Sequence, residues 1–134
     1  EPFDSSVITD HMAALADGLG PPNPDMWEQA ANAIRTTDTF PKGFYSRIGD
    51  SESYVAGIAK GSGMIAPSMA TMLAFIFTDL EISQRELQAF TERSVDKSFN
   101  SITVDSDTST SDTLGLFSIG NQEKFGKKDF KIPC

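Results

Sequence analysis

The sequence of 134 residues predicts a single α/β or α+β layered domain, in which a β-sheet carries helices packed on its faces. Apolar residues follow helical spacing up to about residue 35 and again at about residues 84–97. Strand-like patterns occupy the stretches between and after them. No internal repeat or long linker divides the chain, and its length suits one domain with a modest core.

The first predicted helix covers about residues 4–17. Asp4 or Ser5 supplies its cap, and Gly18 and Gly20 stop it. Its apolar residues share one helical face, at positions 7, 8, 12 and 15.

Two further helices have recognisable starts. Asn23 caps the second, with Pro24 at its first position, and its expected buried face consists of Trp27, Ala30, Ala31 and Ile34. Ser83 and Glu86 form a capping box for a third helix over about residues 84–97. The inward stripe expected for this helix is Leu87, Phe90, Ser94 and Val95.

The strands are predicted from four segments. "FYSRI" and "SYVAGIAKG" flank the turn "GDSE" and predict a β-hairpin. "TMLAFIFTD" is continuously apolar and fits a strand buried on both faces. "NSITVDSDTSTSDTLGLFSIG" predicts two short strands joined by a loop of acids and hydroxyls.

Composition excludes several classes of function. The net charge of −8 argues against a nucleic-acid or anionic-membrane surface. The longest apolar run, Met72–Phe77, is far shorter than the ~20 residues that a membrane span needs. Residues 1–4 lack the basic start and apolar core of a signal peptide, so the expected compartment is the cytoplasm.

Cys134 is the only cysteine, which leaves no disulfide framework. His11 reads as a helix-surface residue, so an enzymatic base here is expected not to be histidine.

Two polar loops carry candidate chemistry. The glycine turn after Lys60 suits anion binding, but the order of a phosphate-binding loop is missing. Asp105, Asp107 and Asp112 alternate with hydroxyls as in calcium loops, but Thr110 stands where such a loop needs glycine. The alternative is a loop whose side chains bond their own backbone, and no metal site is predicted.

Thr71 admits two interpretations, a structural hydroxyl at a strand start or a nucleophile. A threonine hydroxyl needs a base, and a threonine that begins a chain can use its own α-amine. That amine becomes free only if the Ala70–Thr71 bond breaks. The Thr71 hydroxyl can break this bond itself by attacking the Ala70 carbonyl, which a small side chain leaves open.

Long motifs in this region resemble a known family. "AKGSGMIAPSMATMLAFIFTD", the later "SFNSITVDSDTSTSDT" and the upstream "AIRTTDTFPK" are similar, in the same order, to the bifunctional ornithine acetyltransferase / glutamate N-acetyltransferase family of arginine biosynthesis, the ArgJ family. The resemblance implies an Ntn-hydrolase-like, DmpA-ArgJ-like fold. It also implies an N-acetyltransferase that passes the acetyl group of N-acetylornithine to glutamate through an acetyl-enzyme.

The resemblance assigns roles to four residues. Cleavage between Ala70 and Thr71 makes Thr71 the catalytic nucleophile and divides the chain into residues 1–70, the end of an α-chain, and 71–134, the start of a β-chain. Lys60 and Thr37 match substrate-binding positions, as does Thr71. A solvated turn lysine and a hydroxyl at a helix end are the respective alternatives. The resemblance implies no cofactor, acetyl-CoA as a possible further acetyl donor, and an α/β hetero-assembly after cleavage.

The resemblance, read over about residues 1–118, also has departures. Ser68, Ser106 and Ser111 differ from the usual family residues, and the tail after Gly120 does not look like the family's continuation. The family's oxyanion-hole pair is expected before Glu1 and other substrate residues beyond the last residue, so residues 1–134 are expected to be one partial domain. The alternatives are a self-cleaving aminopeptidase or amidase of the same fold, and an inactive fragment without an oxyanion hole.

Overall fold

A four-stranded mixed sheet is the centre of the computed structural model, which describes residues 4–20, 24–61, 72–101 and 111–120. The strands of these ranges are β1 Lys42–Arg47, β2 Tyr54–Lys60, β3 Leu73–Thr78 and β4 Thr113–Ser118, in that spatial order. β1, β2 and β3 are successively antiparallel, whereas β4 runs parallel to β3. The predicted sheet with helices is therefore confirmed as an α+β arrangement.

The predicted hairpin is confirmed as β1 and β2, which pair from Lys42 opposite Ala59 to Arg47 opposite Tyr54. The turn between them includes Gly49, whose φ of 54° lies in the left-handed region that glycine adopts without steric cost.

β3 is the segment predicted to be buried on both faces, and it lies between β2 and β4. Ala74 and Thr78 are buried, and the other residues of the strand are half-buried. A parallel neighbour cannot follow through a tight hairpin. The chain between β3 and β4 accordingly includes a helix, α4.

The first predicted helix is two short helices, α1 Ser6–Thr9 and α2 Met12–Asp17, so the expected continuity over 4–17 is wrong. Ser5 occupies the N-cap position of α1 but forms no side-chain capping bond, and the Oδ1 of Asp4, one residue earlier, accepts a hydrogen bond from the Ser6 N–H instead. The apolar face is exposed, with Val7 64% and Leu15 62% accessible. Helices this short are marginal without tertiary packing, and the described part of the chain buries neither of them.

α3 Pro24–Ala33 packs on the sheet. Ala31 and Ile58 of β2 are buried together, and Trp27, Ile34 and Phe75 pack around them, largely as predicted. The Trp27 ring also meets the Phe77 ring edge-on, with centroids 5.6 Å apart. Ala30 is exposed, so its predicted burial is wrong, and the predicted cap at residue 23 lies outside the described residues.

α4 Gln84–Val95 begins with the predicted capping box and packs against β4. The Glu86 N–H donates to Ser83 Oγ, and the Ser83 N–H donates to the Glu86 carboxylate. Leu87, Ser94 and Val95 are half-buried as expected, but Phe90 is 56% exposed. A short 3₁₀ helix, Phe99–Ser101, follows. No helix of the described ranges is long and apolar enough to cross a membrane.

Candidate functional site

The end of β2 and the starts of β3 and β4 lie side by side at one end of the sheet. The predicted site residues are close to these strand ends in the sequence. β2 ends at Lys60, which pairs with Leu73, the first residue of β3. Leu73 also pairs with Thr113, the first residue of β4. Met72 directly precedes Leu73, so its backbone lies where the end of one strand meets the starts of two others.

Both polar backbone groups of Met72 are anchored to the start of β4. The Met72 N–H donates to Asp112 Oδ1 at 2.8 Å, and the Met72 carbonyl accepts from the Thr113 N–H at 3.0 Å. The Met72 nitrogen is covalently bonded to the carbonyl carbon of Thr71. Thr71 and Ala70, the predicted nucleophile and the other residue of the predicted scissile bond, lie outside the described residues.

Lys60 is buried, although lysine is a residue type that is rarely buried unless paired. It is 7% exposed, and alternation along β2 puts it on the same sheet face as Ile58, the face that α3 covers. No residue of the described ranges forms a hydrogen bond or ion pair with its ammonium group. A side chain this buried is not that of a fully solvated turn lysine, and the substrate-binding role of Lys60 stays a prediction.

Thr37 is exposed and follows the end of α3. Its neighbour Asp38 connects this segment to the end of β2. Asp38 Oδ1 accepts a hydrogen bond from the Gly61 N–H at 2.9 Å and another from Lys42 Nζ at 2.5 Å. Lys42 Nζ also donates to the Gly61 carbonyl. We call this group of three residues, Asp38, Lys42 and Gly61, the Asp38 clamp.

The two charged side chains of the Asp38 clamp differ in exposure to solvent. The Asp38 side chain is 1% exposed and that of Lys42 is 33% exposed. Burial on its own raises the pKa of Asp38, but the hydrogen bonds from Lys42 and the Gly61 N–H, with the charge of Lys42, together hold that pKa below its ordinary value. The buried Oδ2 atom of Asp38 has no hydrogen-bond partner in the described part of the chain.

Gly61 brings the clamp against Met72. Its φ of 138° is one that L side chains rarely adopt, and a Cβ built there would lie 3.5 Å from the Met72 Cα. The residues that follow the three predicted site residues Thr37, Lys60 and Thr71 are therefore connected through contacts of Gly61. They are Asp38, Gly61 and Met72. The backbone thus gathers three segments that are far apart in the sequence.

Sequence analysis missed the residues that make these connections. Asp38 and Lys42 lie in the quoted "TTDTFPK" motif, but the partner of Asp38 at Gly61 is 23 residues away. Asp112 was considered only as part of a calcium loop, and its partner Met72 is 40 residues away. The position of Asp38 directly after Thr37 is a signal in the sequence, whereas neither Lys42 nor Asp112 is next to a predicted site residue.

The remaining candidate residues stand apart from this arrangement. His11 lies exposed between α1 and α2, and its Nδ1 bonds the Val7 carbonyl, in agreement with a helix-surface role. Asp105, Asp107 and the glycine turn at 62–63 lie outside the described residues. Among the residues that the structure describes, no cluster of histidine, cysteine and acidic side chains could hold a metal ion.

Comparisons with known proteins extend the match beyond the quoted motifs. The ArgJ family model matches residues 1–132. The arginine biosynthesis bifunctional protein ArgJ of Mesorhizobium japonicum is 47% identical over 136 residues, which cover 99% of this chain and 32% of that relative. The proteins of the same name from Ruegeria pomeroyi and Nitrobacter winogradskyi are 57% and 49% identical over 81% and 90% of this chain, and over 27% and 28% of their own lengths.

The chain therefore spans about a third of the length of these curated relatives. The expectation that the family resemblance ends near residue 118 is wrong, since the family match continues through the tail to residue 132. The mixed sheet with its helices agrees with the Ntn-hydrolase-like fold that the resemblance implied. Because the family model matches nearly every residue, the chain belongs to the ArgJ family.

Proposed function

We propose that the protein transfers the acetyl group of N-acetylornithine to glutamate, in arginine biosynthesis, through an acetyl ester on Thr71. The observation that carries this proposal is the contact between Gly61 and Met72. Gly61 directly follows Lys60, the predicted substrate-binding residue, and Met72 directly follows Thr71, the predicted nucleophile, so the contact supports a shared site. Relatives at 47–57% identity are named arginine biosynthesis bifunctional proteins, which supports the same reaction.

The first step in the proposal is self-cleavage. The Thr71 hydroxyl attacks the Ala70 carbonyl carbon, the acyl group moves from nitrogen to oxygen, and the Thr71 amine is released. Water then hydrolyses the ester, which leaves a carboxylate on Ala70 and restores the hydroxyl. Anchoring of Met72 by Asp112 and Thr113 supports this step, because it fixes the peptide that follows the nucleophile.

Acetyl transfer follows in two half-reactions. The Thr71 amine takes the hydroxyl proton as the oxygen attacks the acetyl carbonyl of N-acetylornithine. The C–N bond breaks, ornithine leaves with the proton on its amine, and the acetyl group remains as an ester on Thr71. The amine of glutamate then attacks this ester, and N-acetylglutamate leaves as the hydroxyl regains its proton.

Lys60 and Thr37 are proposed to hold the substrate. N-acetylornithine carries an α-carboxylate, and the ammonium of Lys60, a residue held at the end of β2, is suited to pair with it. The exposed Thr37 hydroxyl, beside the buried Asp38, is proposed as a second polar contact.

Other parts of the proposal concern the whole protein. Residues 1–70 and 71–134 belong to the two chains of an α/β hetero-assembly that forms after cleavage, within one partial domain. The protein needs no cofactor, although acetyl-CoA is a candidate second acetyl donor. The cytoplasm is the proposed compartment, because the substrates are small amino-acid derivatives.

The test is an intact mass measurement of the purified protein with and without Thr71→Ala, followed by incubation with N-acetylornithine. The proposal expects a wild-type protein cut before Thr71 that gains one acetyl group on the new chain. It expects an uncut variant that gains none. The masses of the two products identify which peptide bond is broken. A matched control, Thr78→Ala, changes a buried threonine at the far end of β3.

The acceptor separates transfer from hydrolysis. Loss of N-acetylornithine that depends on glutamate supports the acetyltransferase, whereas release of acetate without glutamate indicates an amidase with the same nucleophile. An uncut wild-type protein that takes up no acetyl group contradicts the proposal and leaves an inactive chain as the alternative.

A further inference from the structure

Asp38 and Lys42 of the Asp38 clamp bind both backbone polar groups of Gly61. Its N–H donates to Asp38 Oδ1 at 2.9 Å, and the Gly61 carbonyl accepts from Lys42 Nζ. Lys42 and Asp38 are themselves joined at 2.5 Å, so the three groups close a ring of hydrogen bonds. The two peptide groups that flank the Gly61 Cα are thus each restrained, and neither can rotate without breaking a hydrogen bond to a charged side chain.

Lys42 and Lys60 lie at the same end of the sheet but on opposite faces of it. Lys42 pairs with Ala59 and therefore shares a sheet face with that residue, whereas Lys60, one residue further along β2, is on the opposite face. Lys42 is engaged by Asp38 and Gly61, and it is one third exposed. Lys60 is buried, with no partner for its ammonium group in the described ranges. Charge alone does not distinguish these two side chains, but their contacts do.

We propose that Asp38 and Lys42 are positioning residues for the acetyl donor, because they fix the backbone of Gly61 and thereby the point from which Lys60 reaches the substrate carboxylate. This inference rests on the proposed function. Glycine has more backbone freedom than any other residue, so the junction after Lys60 needs an external restraint. The restraint matters for binding, because a displacement of about 1 Å at a substrate-orienting group costs up to about 100-fold in rate.

The experiment measures kcat and KM for N-acetylornithine in the whole protein, for the wild type and for each variant. Asp38→Asn preserves the shape of the side chain and removes its charge, and we expect KM to rise about tenfold with kcat changed by less than about twofold. Lys42→Met raises KM in the same way, and Lys42→Arg, which keeps the charge and the donors, raises it less. A purely structural role would lower the fraction of active enzyme and leave KM unchanged.

Asp79→Asn is the matched control. Asp79 is also buried, its Oδ1 also accepts a backbone N–H, that of Tyr54 at 2.9 Å, and its Oδ2 also has no partner among the described residues. It follows the other end of β3, so we expect its KM to equal that of the wild type. An equal rise of KM in Asp79→Asn and Asp38→Asn would overturn the inference.

A double variant separates this inference from the proposed function. If Asp38 acts through Lys60, adding Asp38→Asn to Lys60→Met raises KM no further, because the two residues act as one unit. If the KM increase of the double variant is the product of the two single increases, the positioning role is overturned. It is also overturned if KM rises with Lys60→Met but not with Asp38→Asn. A KM unchanged by Lys60→Met removes the substrate role of Lys60 and with it this inference, whereas the proposed acetyl transfer on Thr71 is decided separately by the mass and acceptor tests.

Discussion

The ion pair between Lys42 and Asp38 leads to an asymmetric prediction, because only one of its members is deeply buried. The Asp38 side chain is 1% exposed and the Lys42 side chain 33% exposed. Lys42→Met leaves a carboxylate in the interior with one hydrogen bond, from Gly61. Asp38→Asn leaves an ammonium group that reaches water. The same contact is lost in both variants, yet the free energies of unfolding are expected to differ.

The magnitudes follow from the cost of burying a charge. Removing the partner of a buried charge typically costs about 3–5 kcal/mol, so Lys42→Met is expected to lower the free energy of unfolding by about 3 kcal/mol. In Asp38→Asn the amide oxygen still accepts from Gly61, and the lysine is partly hydrated, so the expected loss is about 1 kcal/mol. The predicted difference is therefore about 2 kcal/mol.

The stabilities of the wild type and of Lys42→Met should also depend differently on pH. In the wild type the pKa of Asp38 is lowered, so its contribution to stability is present above the pKa of the unfolded state and is lost as pH falls through the folded-state pKa. In Lys42→Met, burial still raises the pKa of Asp38 while the lowering by the hydrogen bond and charge of Lys42 is lost, so we expect this pKa to be higher than in the wild type. The carboxyl then takes up a proton at higher pH, and the deficit of this variant relative to the wild type shrinks on acidification.

Urea unfolding at pH 7 and at pH 4 measures both effects in the wild type, the two single variants and the double variant. The double variant should be more stable than Lys42→Met, because the amide removes the unpaired charge. Equal losses in the two single variants, or a Lys42→Met deficit that does not change with pH, would refute the reasoning.

Two further predictions concern the strands around the site. Asp112→Ala removes the acceptor for the Met72 N–H and is expected to slow self-cleavage about tenfold, as followed by mass over time; cleavage at the wild-type rate would contradict the proposed anchoring. Gly57→Ala is expected to cost about 2 kcal/mol in thermal or urea unfolding, because its Cβ would lie 2.8 Å from the carbonyl oxygen of Phe75. Gly20→Ala, where nothing lies within 4 Å, is the control, and equal losses at the two glycines would contradict the steric argument.

Elements with local causes were predictable from the sequence. The capping box at Ser83 and Glu86 needs only residues three apart, and it is present at the start of α4. The hairpin of β1 and β2 needs only a turn between two strand-like segments. The continuous apolar run at Leu73–Thr78 marked a strand with neighbours on both sides.

Elements that depend on tertiary packing were less predictable. The apolar spacing of residues 4–17 indicated one helix, but two short helices form, and their apolar residues are exposed in the described structure. Phe90 has the spacing of an inward residue and is nevertheless exposed. Periodicity states which residues share a face, but it does not state what covers that face.

By itself the sequence determined the layered α+β class, the capped helix α4 and the ArgJ family, and it proposed Thr37, Lys60 and Thr71 as site residues, with the role of Thr71 still a prediction. Only the tertiary structure decided that β4 is parallel to β3, that Asp38 and Lys42 hold the backbone of Gly61, and that Asp112 holds Met72. The physical reason is the range of each interaction. Caps, turns and periodicity act over a few residues and can be read along the chain, whereas these hydrogen bonds join residues 19 to 40 positions apart and exist only after the sheet has brought its strand ends together.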